Sequence, residues 1–470
     1  MVEAVIPVAA LILLVALAYF LFGDGSALGP NQLALTVASM IALFIGWRRG
    51  HSLESLGKAA SDSVATGIGA VFILLAVGAL IGTWALSGTL VAMVYYGLKL
   101  LSPNYFYFTA CVISTVVAFS IGSAWTVAGT IGVGFMGIAA SMGLNPAVAA
   151  GAIVSGSYFG SKASPLSSAA NLCAAVAGVP LYDHVREALI TGAMALVTAL
   201  IVFFLLGEPG DFDSSHKMDA IAAAFRVTPW LFLPLLVVIV LAVYKFPPFT
   251  TIFLGALAGG VMAAFIAPER VITFADPQRL LPGWLAIIKG IWQALASGYV
   301  STSGFQPMDD LASRGGMESM LNTIWLIITA LAFGGVVEKA GVLDTLITPV
   351  IARARTDGAL VASLTASIFA TNVITADQFI AIVLPGRMFK QAVADRGLAP
   401  IVLSRTVGDT AITTSPLIPW NSCGAYMAAT LGVATLSYAP FAIFCFVSPL
   451  IAVALAYAGV RMPRTGAAAA

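Results

Sequence analysis

Apolar residues along this chain come in long runs broken by short polar interludes. A helix needs about 20 mostly apolar residues to cross a bilayer. Runs of that kind occupy 4–22, 32–47, 64–82, 185–206, 228–243, 249–267, 318–337 and 435–459. Other apolar pieces are short and interrupted: 89–101, 104–121, 125–141, 146–160, 342–352, 359–371, 375–386 and 404–432. The pattern predicts an all-α polytopic membrane protein with roughly 11–14 membrane segments. The first run follows Glu3 rather than a basic stretch, and no A-x-A site comes after it. It therefore reads as a span and not as a signal peptide.

Composition agrees. Hydrophobic residues make up 60% of the 470 positions and charged residues 9%, where about 25% charged is usual. With a mean hydropathy of +0.99, an ordinary soluble enzyme, a disordered chain, a disulfide scaffold and a coiled coil are all excluded. The net charge of +1 gives no reason to expect nucleic acid. The partners expected instead are the lipid bilayer and a small transported ion or solute. Cys111, Cys173, Cys423 and Cys445 lie in apolar stretches without CxxC spacing. They read as packing residues, a ligand role being the other reading. His51, His184 and His216 lie in or near loops and share no metal spacing, so no metal site is expected. No Gly-rich phosphate loop points to ATP, and no cofactor is implied.

Loop 23–31 has no Lys or Arg, whereas loop 48–58 has Arg48, Arg49 and Lys58. The positive-inside rule then places the N-terminus in the cytoplasm, and Arg461 and Arg464 place the C-terminus beside it. The polar stretches 207–227 and 268–316 are too mixed in charge to orient. The tail after Arg464 reads as a flexible end.

The chain also matches itself at an offset of about 250 residues. Gly88 pairs with Gly341, Ala110 with Ala362, and Ser164-Pro165-Leu166 with Ser415-Pro416-Leu417. An N-x-C follows each Ser-Pro-Leu, at Asn171-Leu172-Cys173 and Asn421-Ser422-Cys423. This divides the chain into a first membrane repeat (1–207), a polar connection (208–227), a second repeat (228–460) and a C-terminal tail (461–470). Basic residues flank 359–386 at Arg353, Arg355, Arg387, Lys390 and Arg396, but the matching flanks of 104–141 carry only Lys99. The repeats therefore read as inverted, an arrangement that puts transport sites near the midplane. As a helix, 359–371 would rise only about 18 Å, against a hydrocarbon core of about 30 Å. Residues 359–386 are read as a re-entrant hairpin with its tip at Thr371–Asp377, matched by Gly122–Thr126 in the first half. Two short tilted helices are the other reading.

Polar residues inside spans are candidates for function. Asp377 has hydroxyl and amide neighbours in Thr371, Asn372 and Thr375, an oxygen-rich set suited to a hard cation; it would equally cap the next helix. Asp409 lies four residues after Arg405, on one helix face. That spacing suits a buried ion pair, either purely structural or opened when a proton or cation arrives. Thr414 and Ser415 follow it. The run Gly156–Ser168 holds Ser161, Lys162, Ser164 and Ser168, with Lys162 as its one cation. Lys162 is placed either to hold an anion or replace a bound cation, or to snorkel to a headgroup. Ser-Pro breaks free N–H and C=O ends that bind ions. Asn171 and Asn421 would complete the ligand ring, with Ser123 and Thr126 at the first tip.

These residues support a resemblance. Ile121–Gly132, Gly156–Gly178, Leu384–Lys390, Arg396–Pro400 and Ser404–Tyr426 resemble the NhaC family of sodium/proton antiporters, over residues from about 60 to 455. The resemblance implies inverted repeats, re-entrant hairpins, alternating access in the inner membrane, no enzymatic activity and a homodimer. The wider group includes exchangers of organic acids. The family pattern after Tyr-Phe-Gly is Asp-Lys-x-Ser-Pro-Leu-Ser-Asp-Thr-Thr-Asn. This chain has Ser161 and Ser168 at the two Asp positions and Ala169 and Ala170 at the two Thr. Gly408 stands where a Glu is common. Three carboxylates are thus missing, while Asp377 and Asp409 match. Exchange needs a carboxylate for which proton and cation compete. Sodium/proton antiport on the two that remain is the leading reading, and cation-coupled transport of an amino acid or small organic acid the alternative. An intramembrane aspartyl protease built on Asp183 and Asp409 lacks a second glycine at Thr406. A channel is the remaining class.

Overall fold

The structure is a computed structural model and describes residues 2–207, 218–219, 221–222, 227–301, 309 and 313–465. The first half begins with α1 (Val2–Phe22), α2 (Pro30–Arg48), α3 (Leu53–Thr66), α4 (Ile68–Ser87) and α5 (Thr89–Leu100). A hairpin of α6 (Phe106–Ile121) and α7 (Ala124–Met142) comes next. Then follow the broken pair α8 (Pro146–Ala163) and α9 (Ser168–Ala177), and α10 (Leu181–Leu205). The second half starts with α11 (Pro229–Val243), α12 (Pro248–Ile266), the short α13 (Pro268–Ala275) and α14 (Gly283–Ala296), α15 (Met317–Lys339) and α16 (Val342–Arg353). Its hairpin is α17 (Asp357–Thr375) and α18 (Gln378–Asp395). After that come α19 (Pro400–Val407), a π-turn at Gly408–Ile412, α20 (Ser422–Leu431), and α21 (Thr435–Phe441) with α22 (Ile443–Tyr457), bent by 56°.

Nine of the described helices are long and apolar enough to cross a membrane, or ten if the bent pair counts as one span. The other embedded pieces are shorter or more polar. Large apolar side chains such as Phe20 and Phe265 point outward, where lipid is their natural solvent. Several boundaries differ from the sequence expectation. The run at 64–82 divides into α3, amphipathic and polar on one side, and a span that starts at Ile68. The stretch 268–316 contains α13 and α14. The arms of the second hairpin are longer than the apolar segments implied: α17 has 19 residues and α18 has 18. The extra length comes from polar ends, Asp357 at one and Asn372 and Thr375 at the other, which hydropathy alone truncates. Residues 461–465 are tied down. Arg464 binds Asp357 at 2.8 Å, and the Thr465 N–H donates to Gly397 at 2.9 Å. Residues 208–217 and 466–470 lie outside the described part.

Both hairpins end inside the protein on the same local device. At the first tip Gly122 has φ +79 and Ser123 caps α7, accepting from the Thr126 N–H at 3.2 Å. At the second, Ala376 has φ +58 and Asp377 caps α18, accepting from the Ile380 N–H at 2.9 Å. Short polar side chains satisfy helix N–H groups that would otherwise have no partner. A Cβ on Gly122 would sit 2.7 Å from the Leu166 backbone, so that tip needs glycine to lie against the α8–α9 break. Small residues let membrane helices approach closely. Gly156 and Gly160 press α8 onto α6, with any added Cβ 2.3 Å from Cys111 and Ala118 backbone atoms. This packing fixes the position of Ser161 and Lys162, one step further along α8.

Candidate functional site

A cavity of about 500 Å³ opens where the two tips meet the two helix breaks. Gly122–Thr126 line it from the first tip, Asp377 and Gln378 from the second, Ser161 and Ser168 from the first break, and Ser422 and Cys423 from the second. Of the residues expected at the site, Asp377, Ser123, Thr126, Ser161 and Ser168 face this space. Asp377 caps α18, one of its two readings, and also forms part of the cavity wall. The ring of Trp125 stacks on Tyr426 at 4.1 Å, and the Tyr426 hydroxyl donates to the Trp125 carbonyl at 2.8 Å. The first tip is therefore clamped to α20.

Other expected residues form the frame behind the wall. Asn372 donates to the Ala411 carbonyl and to Thr414, both at 2.9 Å. Asn421 donates to the Asn372 carbonyl at 3.2 Å while capping α20. Thr371 and Thr375 return their hydroxyls to their own helix. Ser415 donates to Gln378 Oε1 at 2.9 Å, and the Cys423 thiol reaches the same oxygen at 3.3 Å. The Ser422 N–H closes the second tip onto the second break by donating to the Ala376 carbonyl at 2.9 Å. Ser164 is buried and accepts from the Leu166 N–H at 3.2 Å. Asn171 is exposed and braces the first break through the Pro165 and Ser167 carbonyls. The residue that occupies the capping position of Asn421 in the first half is Ser167, not Asn171. The second N-x-C match is thus out of structural register with the first.

Asp409 and Lys162 form an ion pair away from the cavity, both fully buried. Lys162 also donates to Ser448 at 3.1 Å and Thr191 at 3.3 Å, and lies over the Phe444 ring at 5.6 Å. Thr191 donates to Asp409 Oδ1 at 2.9 Å. Asp409 Oδ2 is buried and makes no hydrogen bond to the protein. The expected Arg405–Asp409 pair does not form. Arg405 turns to Glu187 at 3.5 Å and to the Arg461 carbonyl at 2.7 Å. Each group has another partner instead: Lys162 and Thr191 take Asp409, while Glu187 and the Arg461 carbonyl take Arg405. Lys162 does not snorkel, because Asp409 satisfies it inside. Sequence reasoning missed Gln378, Thr191, Ser448 and His184. Gln378 was within reach, adjacent to Asp377. His184, expected in or near a loop, is buried in the first turn of α10.

Comparison with known proteins decides the relationship. A family model described as the Na+/H+ antiporter family matches residues 156–460. The Na+/H+ antiporter NhaC of Alkalihalophilus pseudofirmus is 35% identical over 93% of this chain and 91% of its own length. This chain belongs to the Na+/H+ antiporter family. It is accordingly an integral membrane transporter. Other relatives carry different names. A malate-2H+/Na+-lactate antiporter of Bacillus subtilis is 32% identical over 92% of this chain and 90% of the relative. An arginine/ornithine antiporter, ArcD, of Halobacterium salinarum is 31% identical over 98% and 92%. Antiport is shared by these names, whereas the cargo is not. Two positions where this chain departs from the antiporter pattern, Ser161 and Ser168, line the cavity. A third, Gly408, lies against His184: a Cβ there would be 3.0 Å from the ring.

Proposed function

We propose that this protein exchanges sodium for protons across the cell membrane by alternating access, with its termini in the cytoplasm. One observation carries the reading: a fully buried Lys162–Asp409 pair stands behind a cavity whose wall includes the carboxylate of Asp377. Buried charge in a membrane is expensive and is kept where it does work. In this scheme sodium binds from the cavity at Asp377, with Ser123 and Ser161 among the neighbouring oxygens. The proton is carried at Asp409, where protonation releases Lys162 from its partner. The hairpin tips and breaks move as one bundle, because they are cross-linked through Asn372, Asn421, Trp125 and Tyr426.

A second reading rests on size. A cavity of about 500 Å³ falls within the roughly 300–1,000 Å³ typical of small-molecule sites. An organic solute would fit, with serines in place of two carboxylates as its polar contacts. Sealed proteoliposomes holding a pH-sensitive dye separate the two. Sodium-dependent proton movement, lost in Asp377→Asn, supports sodium/proton exchange. Absence of proton movement, with counterflow of labelled amino acids or small carboxylates, supports the solute reading.

A further inference from the structure

We infer that His184 is a proton-carrying residue of the exchange, receiving the proton at Nε2 and passing it to Asp409; this rests on the proton coupling proposed above. The hydrogen bonds suit one tautomer. Ser404 has one hydroxyl hydrogen and donates it to the Cys173 carbonyl at 3.2 Å. The 2.7 Å contact between Ser404 Oγ and His184 Nδ1 is satisfied together with that bond when Nδ1–H is the donor, and this is the tautomer of the proposed step. In the neutral ring Nε2 is left as the acceptor. It is buried and makes no hydrogen bond to the protein. The ring lies directly over Gly408, with Nε2 3.5 Å from where a Cβ would be. Asp409, the next residue, also has a buried oxygen with no protein partner. Two buried acceptors without partners thus lie in one cluster.

Position supplies the route. Asp183 is exposed and Tyr182 is 77% exposed, so His184 sits one residue inside the end of α10. Two turns further along the same helix, Thr191 holds Asp409. The charged or titratable groups that act on the ring are Lys162 from α8 and Asp409 from the π-turn, with Cys173 from α9 beside Gly408; Glu187, one turn along α10, is held by Arg405 of α19. Lys390 of α18 approaches the end of α9 at Gly178. The step balances simply. A proton from water forms an N–H bond at Nε2 and makes the ring cationic. Transfer to Asp409 Oδ2 runs through an intervening water, since the two atoms are not bonded to one another; it breaks the N–H bond, forms O–H and returns the ring to neutral. The carboxylate then no longer holds Lys162, and the helix pair α8–α19 is free to rearrange.

The test uses two substitutions with different geometry. His184→Asn keeps a donor near the Nδ1 position and removes Nε2, and His184→Gln places an amide near Nε2 that cannot carry a proton. Purified full-length protein is reconstituted, and sodium-driven proton flux is recorded from roughly pH 5.5 to 9. Both variants are expected to lose tenfold or more of the flux, on the order expected for removing a proton-transfer group, with a flattened pH profile and unchanged elution as a folded species. A purely packing role would lower stability and leave the shape of the profile intact. The wild-type profile in both variants overturns the inference. If the wild type itself moves no protons against sodium, the proposed function fails together with it. A second readout needs no variant that transports: the chain has three histidines, so isotope-labelled histidine spectra identify His184 by its loss in His184→Asn. The expected signal is an Nδ1–H tautomer that gains a proton at Nε2 as pH falls, with its titration displaced by Asp409→Asn. A ring that takes up no proton across that range, or one indifferent to Asp409, also overturns the inference.

Discussion

The two halves of this molecule build the same backbone device and load it with opposite chemistry. Each has a hairpin ending in a left-handed residue followed by a polar cap, and each has a helix broken at Ser-Pro-Leu. In the first half the cap is neutral Ser123 and the broken helix carries a cation, Lys162. In the second the cap is anionic Asp377 and the broken helix carries an anion, Asp409. The repeat therefore supplies the geometry twice, while the charge at matching places differs between the halves. The opposite charges meet across the centre, where a bilayer would not tolerate them singly.

The comparison is broken most severely at the ion pair. Asp409→Asn leaves Lys162 buried without a counter-charge, which costs about 3–5 kcal/mol. Flux should fall a hundredfold or more, on the order of losing a proton carrier. The double substitution Lys162→Met with Asp409→Leu should recover most of the thermal stability in detergent, since an apolar pair replaces the buried ions, and still move no protons. Recovery of flux in the double variant would contradict the role given to the pair.

At the second tip the effects separate. Asparagine caps a helix about as well as aspartate, so Asp377→Asn should change stability by no more than about 0.5 kcal/mol while sodium-dependent flux is lost. Asp377→Ala should lose the flux and about 1 kcal/mol as well. Intact sodium dependence in Asp377→Asn would reduce the residue to a cap. Making the halves more alike tests the cavity wall. Ser161→Asp with Ser168→Asp should tighten sodium binding by about 1 kcal/mol, roughly fivefold in the half-saturating concentration. No change would mean that the serine wall serves another cargo. The backbone of the two tips is tested through stability alone. Ala376→Gly should raise stability by about 1 kcal/mol by relieving a left-handed alanine. The opposite change, Gly122→Ala, should destabilise by about 1–3 kcal/mol, because its Cβ meets the Leu166 backbone.

Much of this architecture was legible from apolar runs and from Ser-Pro-Leu. Proline and serine interrupt helices for local reasons, and the breaks at Ser164 and Ser415 lie where the sequence puts them. The tips were legible because Gly122 and the polar run ending at Asp377 interrupt apolar segments. What failed depended on distant partners. The i,i+4 spacing of Arg405 and Asp409 permits a pair, but Lys162 of α8 takes Asp409 and Glu187 of α10 takes Arg405, and neither partner is visible in the local sequence. Asn171 matches Asn421 in sequence but not in register, since only the fold shows that Ser167 does the capping. His184 stands just outside the apolar run 185–206, so local sequence shows nothing of its burial against Ser404 and Gly408, more than 200 residues away.

The central claim is that sodium at Asp377 and the proton at Asp409 are exchanged for one another. Its most direct test is proton release on sodium binding, measured with a pH indicator in weakly buffered, purified protein. The account predicts that sodium releases protons from the wild type, that Asp377→Asn binds no sodium and releases none, and that Asp409→Asn binds sodium without releasing protons. Proton release that persists undiminished in Asp409→Asn would contradict it.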